Sequence, residues 1–115
     1  MSKYEVVFYQ NKAGKIPVLD FIKKLNTKDQ AKIAWTLNLL SEHGKSLPLP
    51  YLKFLHGTKQ LWELRPKNYR IFLSFLPESQ LILLHGIIKK TNKTPPKDLE
   101  LSITRLTDYK RRNSL

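Results

Sequence analysis

The apolar positions change period along the chain. In Tyr4–Gln10 they alternate, with Tyr4, Val6 and Phe8 on one side and Glu5, Val7 and Tyr9 on the other, which predicts a strand. Asn11-Lys12-Ala13-Gly14-Lys15 reads as a turn. Pro17 suits a first helical position, and Val18, Phe21, Ile22 and Leu25 then follow at helical spacing, so a short helix runs to about Leu25. Asn26-Thr27 interrupts it. Thr27 with Gln30 has the form of a capping box, and Ile33, Ala34, Leu37 and Leu40 make the apolar stripe of a second helix, which Gly44 stops. Two helices with so short a break predict a helical hairpin.

The second half returns to a period of two. Lys45–Tyr51, with two prolines, reads as a loop. Leu52–Leu55 is a short strand and His56-Gly57-Thr58-Lys59 a turn. Strands at Leu61–Arg65 and Tyr69–Leu76 follow, then the turn Pro77-Glu78-Ser79, then a last strand over Gln80–Lys89. Thr94 is a candidate cap ahead of Pro95 and Pro96, whose missing N–H groups cost little in a first turn. Leu99, Ile103 and Leu106 give that helix its stripe, and Lys110-Arg111-Arg112 reads as a frayed, solvated tail. The order β-α-α-β-β-β-β-α predicts an α+β fold: a mostly antiparallel twisted sheet packed on an N-terminal helical hairpin, with a C-terminal helix.

A register for the meander follows from its turns. With Lys67-Asn68 as a two-residue turn, Arg65 faces Arg70, Leu64 faces Ile71, Glu63 faces Phe72 and Trp62 faces Leu73. Trp62, Leu64, Ile71 and Leu73 then share an apolar face, and Glu63, Arg65, Arg70, Phe72 and Ser74 share the other. With Glu78-Ser79 as the next turn, His85 faces Phe72 and Ile87 faces Arg70. His85 and Lys89 join the side of Arg70, while Ile82, Leu84 and Ile88 join the apolar side. A one-residue slip exchanges Lys89 for Lys90, so both lysines stay in play. Like charges across a strand pair repel, and an anion or a carboxylate between them relieves the repulsion. The outer face thus has the makings of a phosphate cradle, with Glu63 compensating part of its charge. An ordinary solvated sheet face with snorkelling arginines fits the same pattern.

Charge bears on that choice. Lys and Arg number 21 against 9 Asp and Glu, a formal net charge of +12. Such an excess points to a polyanion, nucleic acid or an acidic protein. At 115 residues the chain predicts one domain over residues 1–115. It has no Cys, so no disulfide and no Cys-ligated metal, which agrees with a reducing cytoplasm. The N-terminal run reads as a strand and not as a signal peptide, and no apolar run approaches the ~20 residues of a membrane span.

His43, His56 and His85 show no metal-ligand spacing. His43 sits at a helix end and His56 in a turn; His85 stands on a strand beside Phe72. Nucleotide-binding glycine loops, a nucleophile elbow and paired catalytic carboxylates are not evident. Chemistry by cations remains. RNA brings its own nucleophile, the 2′-hydroxyl, and its cleavage needs a base, a donor for the leaving 5′-oxygen, and positive charge on the phosphorane. Arginine forks suit the last role, a lysine crowded by cations can be acid or base, and Glu63 or His85 is the candidate base. No cofactor is called for.

Leu61-Trp62-Glu63-Leu64-Arg65, Tyr69-Arg70-Ile71, Leu83-Leu84-His85-Gly86 and Lys89-Lys90-Thr91 with Lys93-Thr94-Pro95 together resemble the HigB/RelE family of toxins, and more narrowly its phage-derived HigB-like branch. Pro50–Gly57 and Arg105–Lys110 fit that branch too. The resemblance implies a RelE-like fold and the toxin of a type II toxin–antitoxin pair. It implies an endoribonuclease that cuts mRNA, usually on the ribosome, and is neutralised by a helix-turn-helix HigA-type antitoxin. It places Arg70 and Arg65 on phosphate, and one of Lys89 and Lys90 on the leaving group or phosphorane. RelE has lysines on the strand before Arg65, where this chain has Leu61 and Glu63. The C-terminal catalytic Tyr or His of some relatives has only Tyr109 as a distant counterpart. The competing readings are a non-nucleolytic ParE-like toxin that poisons gyrase, and an inactive nucleic-acid-binding module.

Overall fold

The computed structural model describes residues 3–58, 60–91 and 93–115. Met1 and Ser2 of the N-terminal run, Lys59 of the expected turn and Asn92 ahead of the last helix lie outside them. Strand β1 (Glu5–Phe8) leads to helices α1 (Pro17–Lys23) and α2 (Thr27–His43), then a 3-10 turn (Gly44–Ser46). Strands β2 (Leu52–Phe54), β3 (Trp62–Leu64), β4 (Tyr69–Leu76) and β5 (Gln80–Ile88) follow, and α3 (Pro96–Arg112) comes last. The fold is α+β.

The five strands form one sheet in the order β1-β5-β4-β3-β2. From β2 to β5 the pairings are antiparallel hairpin neighbours. β1 instead pairs with β5 in parallel, Glu5 opposite Gln80 and Phe8 opposite Leu83. The sheet is therefore mixed. The helices carry the chain away from β1 to the far edge, and the meander returns to it strand by strand, so the last strand meets the first running the same way.

α2 begins on Asn26, whose Oδ1 accepts from the Asp29 N–H at 2.8 Å. The expected Thr27 box does not form. Gln30 donates to the Leu25 carbonyl at 2.8 Å, tying α2 to the end of α1. The main neighbour of α1 is β5 and not α2. Gly86 makes that approach possible: a Cβ there would come within 2.6 Å of the Phe21 ring.

Both sheet faces are covered. On the first, Val18 of α1 and Ile33 and Leu40 of α2 pack on Leu64, Ile71, Leu73, Leu81 and Leu83. On the second, Leu106 of α3 packs with Tyr9, Leu61, Leu76, Ile82 and Leu84. The open outer face expected from the sequence is thus closed by α3. A bulge explains the rest of the difference. The β3–β4 register is the expected one, and Phe72 faces His85, but the next partner of β4, Leu73, faces Leu83, leaving Leu84 over. That extra residue puts Leu81 and Leu83 on the first face and sends Ile82 and Leu84 to the second, the reverse of the simple alternation.

α3 differs from its expected stripe as well. Its buried positions are Ser102 and Leu106, while Ile103 is 40% exposed and Leu101 points outward. Thr94 does not cap it, because Pro95 holds the N-cap position. Its C-terminal end is tied down and does not fray there: Arg112 donates to the Gln10 carbonyl at 2.6 Å and pairs with Asp108, which accepts from the Tyr9 hydroxyl at 2.7 Å. That hydroxyl bond leads the causes holding the Asp108 carboxyl below its ordinary range. Among the described residues, no helix is long and apolar enough to cross a membrane.

Candidate active site

A cleft of about 400 Å³ opens where the β3–β4 turn, the end of β5 and the start of α3 meet. Its walls carry Lys53 of the edge strand β2, Glu63 and Arg65, Arg70, Lys89, Lys90 and Lys93, then Thr94 and Asp98. Six cations face two acids there. Local pairing gathers them. The β3–β4 register puts Glu63 and Arg70 on one face, and Arg65 follows β3 directly. The Lys89 N–H donates to the Asn68 carbonyl at 2.7 Å, so the end of β5 is fastened to the turn that separates the two arginines.

Glu63 and Arg70 are 6% and 7% exposed. Oε1 of Glu63 lies 3.0 Å from Arg70 Nε and 3.6 Å from Arg65 Nε, so one carboxylate serves two guanidinium groups. Nη1 of Arg70 donates to the carbonyls of Lys67 and Tyr69. Nη2 of Arg70 takes no hydrogen bond among the described residues. The buried Nε of Arg65 likewise has no hydrogen-bond partner among them. Burial, and after it the charge of Arg65, lower the pKa of Arg70 from the usual guanidinium value, with Glu63 acting the other way. A guanidinium remains a cation even so. Among the described residues, half of the charge of this arginine pair is left without an acidic partner.

The turn is braced from the other side of the sheet. Asp29, buried at the start of α2, accepts from Lys67 Nζ at 2.8 Å and from the Tyr69 hydroxyl. Those two bonds hold the Asp29 carboxyl below its ordinary range. The same bond to Asp29, with burial, raises the Tyr69 phenol. The backbone carrying Arg70 is thus anchored on both flanks.

Of the residues singled out in the sequence, Arg65, Arg70, Glu63, Lys89 and Lys90 all line the cleft. The alternative between the two lysines dissolves, because both reach it where β5 ends. His85 does not line it. Its ring stacks on Phe72, Nε2 lies 2.6 Å from Asp98 Oδ1, and Nδ1 lies 3.4 Å from Arg105 Nη1, which also donates to the Leu84 carbonyl. His85 meets the cleft only through Asp98. His56 packs edge-on to Phe54 and His43 ends α2. Tyr109 packs with the second core layer and is not a cleft residue. Sequence reasoning missed Lys53, Lys93 and Asp98. An acid in the first turn of a helix reads as a partner for the helix dipole, which hid Asp98.

The family model described as Phage derived protein Gp49-like (DUF891) matches residues 20–107. The chain belongs to the Gp49-like family. The matched span runs from α1 into α3 and holds every residue that lines the cleft. No curated protein matches the chain. Gp49-like proteins are associated with toxin-like proteins of the RelE/HigB type, which in general have an antitoxin partner.

Proposed function

We propose that this Gp49-like chain, as one RelE-like domain, is the toxin of a type II toxin–antitoxin pair. It acts in the cytoplasm as an endoribonuclease that cuts mRNA on the ribosome and halts translation. A helix-turn-helix HigA-type antitoxin holds it in check. The observation that carries the reading is the convergence of Arg65, Arg70, Lys89 and Lys90 on one cleft that holds only two acids among the described residues.

In this reading Arg65 and Arg70 grip the scissile phosphate. Glu63 keeps the two guanidinium groups beside each other while the cleft is empty, and a phosphate entering beside it finds N–H groups already in place. As the 2′-oxygen closes on phosphorus, negative charge grows on the equatorial oxygens and the arginine contacts strengthen. Lys89 and Lys90 stabilise the phosphorane or protonate the departing 5′-oxygen. Glu63 is committed to its two cations and serves as scaffold, so the base comes from elsewhere in the cleft. His85 acts from behind the wall. No step calls on a metal or a cofactor.

The test is cleavage of mRNA by purified protein, with and without translating ribosomes, and mapping of the new ends. Wild type is expected to give discrete cuts, and Arg65→Ala to lose on the order of 100-fold or more in rate. Wild type that cuts nothing in either setting overturns the reading. Inhibited gyrase with intact mRNA would move the chain to the ParE-like alternative, and salt-sensitive binding without cleavage would make it a binding module.

A further inference from the structure

We propose that Asp98 is the general base of this cleft, the group that takes the proton of the RNA 2′-hydroxyl, and that His85 is the residue that positions it. The inference rests on the ribonuclease reading above and names a catalytic group that reading lacks.

Among the described residues the cleft offers two carboxylates. Glu63 is buried, and its Oε1 is shared by two guanidinium groups. Protonating it would break both pairs and strand two cations, of which Arg70 is buried. Asp98 stands on the facing wall, on the first turn of α3, and its side chain is a quarter exposed. Oδ1 is held by His85, and Oδ2 takes no hydrogen bond or ion pair among the described residues. The phosphate clamp and a carboxylate with an uncommitted oxygen thus come from different elements across one cavity.

The ring of His85 has a defined tautomer. A guanidinium only donates, so Nδ1, facing Arg105 Nη1 at 3.4 Å, is the acceptor, and the ring proton sits on Nε2 and is donated to Asp98 Oδ1 at 2.6 Å. Phe72 stacks on the imidazole and the Leu84 carbonyl holds Arg105. A chain of part-buried contacts therefore fixes the Asp98 rotamer. A helix docked only for stability would be served as well by two apolar side chains. Here a strong bond is spent on orienting an acid toward a cationic cleft.

In the step, the 2′-O–H bond breaks and its proton passes to Asp98 Oδ2, while the electron pair left on the 2′-oxygen forms the bond to phosphorus. The P–O5′ bond breaks and its pair stays on O5′, which takes a proton from the ammonium of Lys89 or Lys90. The products are a 2′,3′-cyclic phosphate and a 5′-hydroxyl end. Proton exchange with water restores both side chains.

The experiment compares wild type with Asp98→Asn in single-turnover cleavage of a short synthetic mRNA, free or programmed on ribosomes. Binding is measured on the same RNA carrying a 2′-deoxy sugar at the cut site. Asparagine keeps an oxygen for His85 and therefore keeps α3 docked, which a thermal melt checks. The expected loss is about 100-fold or more in rate, with RNA bound as tightly as by wild type or tighter, since a negative charge has left the cleft. A substrate whose leaving 5′-oxygen is replaced by sulfur needs no proton on departure. It should relieve the defect of Lys89→Ala or Lys90→Ala and leave that of Asp98→Asn in place. For His85, Ala should lower kcat by on the order of 10- to 100-fold with little change in KM, and Gln, which offers an N–H to Asp98, should recover part of it.

Asp98→Asn cutting within about threefold of wild type overturns the proposal, as does a rate loss matched by lost binding, or rescue by the sulfur substrate. If wild type cuts no RNA at all, the ribonuclease reading itself has failed, which is a different result.

Discussion

Glu63 lets two arginines stand side by side in a small domain. It is buried, 3.0 Å from Arg70 and near enough to Arg65 to offset one of the two charges. Glu63→Gln removes that offset and leaves two guanidinium groups facing each other. Breaking a buried pair from one side costs about 3–5 kcal/mol, so the variant should unfold at distinctly lower urea concentration than wild type. Arg65→Ala should not, because Arg65 is the more exposed and less committed of the pair. Equal stability of Glu63→Gln and wild type would show that the shared carboxylate is not what holds the cluster. At this scale the sequence was informative about strand residues: the turn at Lys67-Asn68 set which side chains oppose which, and Arg65, Arg70 and Glu63 followed. It was silent on Asp98, whose neighbour His85 lies thirteen positions away on another element. A bond of that kind depends on how a helix lands, which no local spacing encodes.

Elements hold the cleft in place through few contacts, and two of them can be tested. α1 approaches β5 only because Gly86 lacks a side chain; Gly86→Ala would meet Phe21 at 2.6 Å. Overpacking of this kind costs about 1–3 kcal/mol, read as a fall in melting temperature, and an unchanged melt would mean that the phenyl ring swings aside freely. The second contact is the brace from α2 to the β3–β4 turn. Asp29 has its carboxyl held below the ordinary range by Lys67 and Tyr69. A depressed folded-state value means stability that is present above the unfolded carboxylate range, near pH 4, and is lost as pH falls through the folded value. Acid unfolding of Asp29→Asn should therefore be shallower than that of wild type over this window, and identical profiles would remove Asp29 from the account. The element order was legible because helix and strand periods differ. The bulge at Phe72/Leu73 was not, since leucines and isoleucines fill β5 on both sides and a shift of one residue leaves no polar mark. The covering of the second face by α3 was hidden for a related reason: its buried positions include Ser102, and polar ties such as Tyr9–Asp108 help to dock it.

Over the whole molecule the formal charge of +12 would attract any polyanion that approaches. Six cleft cations give an upper bound of about −4 for the slope of log affinity against log salt on single-stranded RNA. A slope near zero would mean that binding is not phosphate-driven. The excess of Lys and Arg was plain in the sequence, but composition does not say that the charges gather at one end of a sheet whose faces are both covered. The parallel pairing of β1 with β5 carries a last consequence. Glu5 reaches Gln80 across 75 positions of chain, so the first strand finds its place only after synthesis has passed Gln80. Until then neither the end of β5 nor the first turn of α3 exists to wall the cleft. A product interrupted there would carry both arginines and no cavity to hold them around, so the gathering of the cations is completed only by the segment made after β4.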